Sequence, residues 1–331
     1  MKRYVLTFLG LKTRKNNPNR IVSRDLKTLG KISNILKEDN PITIVDIGAA
    51  GGLQRRWQNL EPHIRSILFE PEPKSFIELN DNSIANFKVL NTVLSNKKGH
   101  INFNICTKSE VSSVYKPNLS FLKLFHHSER FTIEKSLDLE TNTLENELEN
   151  NEINEIDFIK VDAQGHELNI LEGAGSFLSG TIGIETEVEF APLYIGQPMF
   201  DDVNQYLKNK SFDLVDLKRY YWKRKTFDHF LQDKGQLIFG DALFLKSPES
   251  IYSSFGANQK KIIRAIVIYL TYGYVDLAHA LYILSKDLFD SYFDKKILEI
   301  LRKFQIQQPY DKIQSRIKDW AKSDSNLGAN I

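Results

Sequence analysis

The chain has 331 residues, 41% hydrophobic and 26% charged, the balance of a folded globular protein with length for a real core and one or two domains. Its 44 Lys and Arg against 42 Asp and Glu leave a net charge of +2, which excludes a protein held to nucleic acid by bulk electrostatics. The single Cys106 excludes an internal disulfide and a multi-cysteine zinc site, and fits a reducing, cytoplasmic setting.

The first forty residues are basic and Asn-rich, with ten basic side chains against Asp25 alone over 2–37. They show weak helical periodicity over 21–36 and no signal-peptide pattern, and read as a solvated arm or as a peripheral contact for an anionic membrane surface. From 41 to 246, short β-rich runs alternate with helical patterns. Strands are expected at 42–47, 64–69, 88–94, 100–106, 156–161, 181–188, 212–217 and 236–245, and helices at 53–60, 74–79, 166–178 and 200–208. This alternation implies βαβ units and a doubly wound, mostly parallel α/β sheet. The last two strands are joined without a helix and are expected to pair antiparallel.

The acidic stretch 140–155 spaces Leu144, Leu148 and Ile153 as a solvated surface helix would. From 249 onward only helices are expected, with an apolar stripe over 262–288 that packs on the domain or forms a homodimer. The most apolar run, 265–275, is about half the length of a membrane span, so no transmembrane segment is expected. The expected organisation is an arm at 1–40, a catalytic domain at 41–247 and a helical extension at 248–331.

The segment 44–52, IVDIGAAGG, runs an apolar strand into an acid and a glycine turn. In a doubly wound sheet such a turn borders the ligand crevice. The dinucleotide fingerprint G-x-G-x-x-G is absent. Asp46, Gly48, Ala50 and Gly52 instead follow the acid and G-x-small-x-G spacing of S-adenosylmethionine sites. The next strand ends in Glu70, followed by Pro71-Glu72-Pro73, which places a carboxylate where a ribose diol would be held. A third strand delivers Asp162 to the same edge, with Gly165 turning the chain into a helix near His166. A fourth carries Glu185 and Glu187 on one face by its period of two.

On VDIGAAGG, LFEPEP, TVLSNKKG, IDFIKVDAQGHELNILEGA, GIETE and GDALFLK, in this order over 41–246, the chain resembles the FkbM family of S-adenosylmethionine-dependent methyltransferases. The resemblance implies a seven-stranded class I (Rossmann-like) sheet, cofactor contacts at Asp46, Gly48, Ala49, Ala50, Gly52, Glu70 and Ser95, and methyl transfer to a hydroxyl of a sugar, glycan or natural product. Two positions depart from the family pattern: Ala50 stands where Asn is frequent, and neutral Gln164 where Glu is usual. A nitrogen or protein acceptor, or a scaffold that keeps the fold without turnover, is the alternative reading.

Oxygen methylation needs an aligned acceptor and a base for its proton. His166 is the preferred base because its ordinary pKa suits neutral pH; Asp162 is expected to line the site as base, orienter or ligand, and Glu185 to complete it. Magnesium could be held by Asp162 with Glu185 or Glu187, although the sequence establishes no metal ligand set. The segment between Cys106 and Phe131 is expected to form a lid over the acceptor. Ser112, Ser113, Tyr115, Phe190, Tyr194 and Trp222 are candidates for sugar contacts or for core, and His126-His127 for plain surface.

Overall fold

The computed structural model describes residues 35–36, 39–49, 52–58, 60–81, 87–227 and 234–303. The remainder of the basic arm and Ala50 lie outside the described residues. Ten strands run in chain order among them: β1 Ile42–Ile47, β2 Ile64–Phe69, β3 Phe87–Leu90, β4 Val93–Leu94, β5 Gly99–Cys106, β6 Ile133–Asn142, β7 Phe158–Val161, β8 Gly183–Glu189, β9 Asp213–Trp222 and β10 Gln236–Leu245. Seven form one sheet in the order β3-β2-β1-β7-β8-β10-β9. The pairs from β3 to β8 are parallel, and β10 runs antiparallel to both β8 and β9. This is the class I methyltransferase topology: an open sheet whose strand order reverses at β1 and so forms a crevice at its carboxyl edge.

Buried apolar residues fix both faces. β1 and β2 have almost every residue buried, the near-continuous apolar pattern of central parallel strands. On one face Val45, Ile47, Ile67, Ile159, Val161 and Ile184 meet apolar residues of three helices, α4 Leu144–Asn150, α5 Glu167–Glu172 and α7 Phe200–Asn209. The helices α1 Arg55–Gln58, α2 Pro73–Asp81, α3 Leu119–Leu122 and α6 Phe177–Gly180 are shorter or peripheral. On the other face Phe158 stacks on Tyr272 at 5.1 Å and 22°, with Trp57 tilted against Phe158 at 5.1 Å. Tyr272 closes α9 Gln259–Tyr272, which follows α8 Pro248–Phe255 and precedes α10 Val275–Leu284. No helix among the described residues is long and apolar enough to cross a membrane.

A buried ion pair fastens α9 to the sheet. Asp157, fully buried, accepts from Lys261 Nζ at 2.6 Å, while Arg264 Nε lies 3.1 Å from the same oxygen. The other oxygen of Asp157 accepts from the Thr43 amide at 2.9 Å. The described residues up to Phe289 form one compact unit, and the helix α11 Ser291–Lys303 belongs to a second.

Three elements differ from expectation. The strand expected at 88–94 is split, with β3 in the large sheet and β4 in a three-stranded sheet of order β4-β6-β5. The stretch expected as a surface helix at 140–155 begins inside β6, and its helix α4 buries Leu144 and Leu148 completely. The helix expected at 166–178 is two short helices, α5 and α6, separated at Gly173–Gly175, where the Gly173 position packs against the Ser95 carbonyl too closely for a side chain.

Candidate functional site

A cavity of about 730 Å³ opens at the carboxyl edge of the large sheet, between the ends of β1, β2 and β7 and the face of the small sheet. That size suits a cofactor-sized molecule. Its floor is the turn after β1. Gly48 holds φ at +76°, its amide donates to the Phe69 carbonyl at 3.0 Å, and the Ala49 amide reaches the same oxygen at 3.3 Å. A Cβ at Gly48 would stand 2.0 Å from the Asp162 carbonyl oxygen, so glycine is required by both backbone angle and space. Gly52, also at positive φ, and Leu53 continue the lining.

Glu70 sits at the tip of β2 and lines the cavity, and one carboxylate oxygen accepts the Glu72 amide at 3.0 Å. Glu72 in turn caps the start of α2 by accepting the Ser75 amide at 2.7 Å. The two acids thus fix the turn that presents Glu70. Asp162, Ala163, Gln164 and His166 line the opposite wall. The Asp162 amide donates to the Ile47 carbonyl at 3.0 Å, which ties this wall to the glycine turn.

The wall is locked from behind. Glu167 Oε1 accepts the amides of Ala163 at 2.8 Å and Gly165 at 3.2 Å. Gln164 stands at φ +51°, an unusual conformation for a residue with a side chain. Its Nε2 donates to Asp162 Oδ1 at 3.1 Å and to Glu187 Oε1 at 2.9 Å, and its Oε1 accepts from Tyr194 at 3.0 Å. Ser113 donates to its carbonyl at 2.7 Å.

Other expected site residues take different positions. Asp46 is not part of the cavity lining: it is buried beneath Lys160, whose Nζ donates to it at 3.1 Å. Burial raises the Asp46 carboxyl to about 6, with Lys160 opposing that rise. Asp46, Lys160 and Glu185 are register partners across β1, β7 and β8, so an acid, a cation and an acid form one row. Glu185 is likewise off the cavity wall. Its oxygens accept from Gln54 at 2.8 Å and Tyr272 at 2.8 Å, with Arg56 at 3.6 Å, which leaves it engaged in packing α9 and α1.

Ser95 does not line the cavity either. It stands behind His166, 3.1 Å from Nε2, and its amide donates to Asn142. Burial lowers His166 to about 4, so the ring is neutral at neutral pH and a weak proton acceptor. Ala50, expected beside the turn, falls outside the described residues.

Lys160 is among the lining residues that the motif pattern did not single out; its signal was a lysine inside the buried run Phe158-Ile159-Lys160-Val161. For a metal, Glu167, Glu187 and Glu189 offer oxygens within 4.8 Å of one another. Burial raises all three carboxyls, Glu167 to about 7, and repulsion from Asp162 adds to the rise of each. Glu167 already serves backbone amides, and neither Asp162 nor Glu185 belongs to the group, so the expected magnesium pair does not form the observed cluster.

Residues 107–131 border the cavity through Ser109, Glu110, Ser112 and Val114. Within them Leu122, Phe125 and Phe131 form a second small core with Tyr194, and Trp222 packs against it. Phe190 stacks on Phe200 at 4.9 Å and Tyr115 donates to Asn169 at 3.0 Å, so these aromatic residues are engaged in packing and hydrogen bonding. His126 and His127 are exposed.

The glycine turn after β1, which lines the cavity at Gly48 and Gly52, and the carboxylate at the β2 tip fit an S-adenosylmethionine site. The model of the methyltransferase FkbM domain matches residues 46–214, more than half of the chain. Over 206 residues the chain is 24% identical to the 2-O-methyltransferase NoeI of Sinorhizobium fredii (strain NBRC 101917 / NGR234), spanning 57% of this chain and 84% of that protein. Among solved structures it is similar to a precorrin-6y C5,15-methyltransferase from Geobacter metallireducens, at 12% identity and TM-score 0.33 over 69% of this chain and 89% of that one. It is also similar to M. capricolum TrmK in complex with S-adenosyl-homocysteine, at 10% identity and TM-score 0.33 over 83% and 95%. On the match of its domain, the chain belongs to the FkbM methyltransferase family and is an S-adenosylmethionine-dependent methyltransferase.

Proposed function

We propose that this chain methylates a hydroxyl of a sugar, within a glycan or a glycosylated metabolite. The observation that carries the reading is one cavity lined by the Gly48 turn, by Glu70 and by Asp162 held from behind by Gln164. The relative named as a 2-O-methyltransferase supports an oxygen acceptor. S-Adenosylmethionine, when bound, supplies a methyl group on a sulfonium leaving group. Glu70 holds the ribose hydroxyls, and the Gly48 turn lets the backbone approach the ligand. Asp162 accepts a hydrogen bond from the acceptor hydroxyl and takes its proton as the new carbon–oxygen bond forms. Gln164 holds Asp162 in the orientation this requires, a positioning contribution to the rate. His166, neutral and bound to Ser95, supports the wall and does not take the proton.

The test has two arms. Calorimetry should show S-adenosylhomocysteine binding with a Kd of roughly micromolar order, weakened at least about tenfold by Glu70→Ala. Mass spectrometry after incubation with a methyl-labelled donor and a panel of oligosaccharides should show a single label on a sugar oxygen. Absence of heat with the intact protein refutes the cofactor site, and label on nitrogen alone refutes the acceptor.

A further inference from the structure

We infer that Lys160 is the cationic contact for the carboxylate at the amino-acid end of the cofactor, an inference that rests on the cavity being the cofactor site. Among the described residues lining that cavity, Lys160 is the sole lysine or arginine, whereas Glu70, Glu72, Glu110 and Asp162 are acids. A ligand bearing a carboxylate therefore meets one cationic side chain there and is repelled elsewhere.

The strand order gives the direction. β1 lies between β2 and β7, so Glu70 at the β2 tip and Lys160 on β7 flank the Gly48 turn on opposite sides. A ligand with its ribose on Glu70 and its body across Gly48 brings its far end to Lys160. The ammonium is presented for such a contact. Its hydrogen-bond partner among the described residues is Asp46 Oδ1 at 3.1 Å, and Asp46 is 3% exposed against 18% for Lys160. The acid thus holds the cation from below while a part of the ammonium faces the cavity. An ammonium has three donors, and this anchoring uses one of them. The neighbouring acids Asp46, Asp162 and Glu185 oppose the effect of burial and keep Lys160 protonated, so it serves as a fixed charge and not as a base.

The test pairs a change in the protein with a change in the ligand, using S-adenosylhomocysteine and its decarboxylated analogue in calorimetry on the full chain. Wild type should bind the carboxylate-bearing ligand more tightly, by roughly ten- to a hundredfold. Lys160→Met should remove most of that preference while changing affinity for the decarboxylated ligand by less than about threefold, and Lys160→Arg should keep part of it. Because Lys160→Met strands Asp46, the double variant Asp46→Asn/Lys160→Met repeats the measurement without a buried unpaired charge and decides the matter if the single variant does not fold. A preference retained in the double variant, or no preference in wild type, overturns the assignment of Lys160. No binding of either ligand by wild type would instead defeat the cofactor-site reading beneath it.

Discussion

Replacing Gly48 by alanine tests whether the turn after β1 is dictated by contact with the Asp162 wall. Two penalties add at this position. A residue with a Cβ at φ +76° costs about 1–2 kcal/mol. The Cβ would lie 2.0 Å from the Asp162 carbonyl oxygen. That is more than about 1 Å short of contact distance, and the obstacle is backbone, so relief requires moving the wall, at about 1–3 kcal/mol. Gly52 provides the control, because its φ is +67° but its Cβ would meet, among the described residues, only a Leu79 methyl at 3.7 Å. Urea denaturation should therefore show a loss of about 2–5 kcal/mol for Gly48→Ala and about 1–2 kcal/mol for Gly52→Ala. Calorimetry with S-adenosylhomocysteine should show weakened binding for Gly48→Ala, since the displaced carbonyl belongs to the cavity wall. Equal destabilisation of the two variants, with binding unchanged in both, would refute the steric argument.

Three further outcomes are expected. His166 has its folded pKa depressed to about 4, so its contribution to stability is complete above its ordinary value near 6.5 and is lost as pH falls toward 4. Urea midpoints at pH 7 and pH 5 should show His166→Asn lacking about 2 kcal/mol of the wild-type loss; identical pH slopes would count against a buried neutral ring. Lys261→Met should cost about 2–4 kcal/mol, less than a fully broken buried pair because Arg264 remains beside Asp157, and Lys261→Met/Asp157→Asn should recover part of it in the same assay. Gln164→Glu puts a third carboxyl against Asp162 and Glu187, so its folded pKa is expected to rise, with stability lost as pH increases. A melting-temperature deficit larger at pH 8 than at pH 5 is the expected result, and a deficit independent of pH would exclude the like-charge explanation.

The boundaries of β1, β2 and β10 were legible because each is an apolar run ended by an acid, a proline turn or a polar capping residue. β6 was not, although residues 133–142 alternate in the manner of a strand. Glu134, Lys135, Asp138 and Glu140 are exposed along it, so it is no apolar run, and its end falls in the stretch 140–155 expected as a surface helix. The positions of Gly48, Glu70 and Asp162 on the cavity wall were legible because a glycine turn, a strand tip and a strand end are marked locally in sequence. Asp46, Glu185 and Ser95 share the motif pattern but have partners distant in sequence. Lys160 is 114 residues from Asp46, Tyr272 is 87 from Glu185, and His166 is 71 from Ser95. Spacing shows where an acid stands on a strand, but not which side chain from another element reaches it first.

The contacts of α9 have a consequence for how this enzyme can vary among relatives. Tyr272 lies outside the family-matched segment 46–214, yet it occupies one oxygen of Glu185, the register neighbour of Lys160. Arg56 sits over the Tyr272 ring at 4.4 Å and pairs with that glutamate. A chain ended after Leu245 would keep the whole matched domain but take Tyr272 from Glu185, leaving that acid to Gln54 and Arg56 beside Lys160. It would also strip Asp157 of both of its cations. The helices after the sheet thus act as a ballast on the charge row beneath the cavity. Exchanging them between related enzymes would alter ligand affinity without touching a residue that lines the cavity.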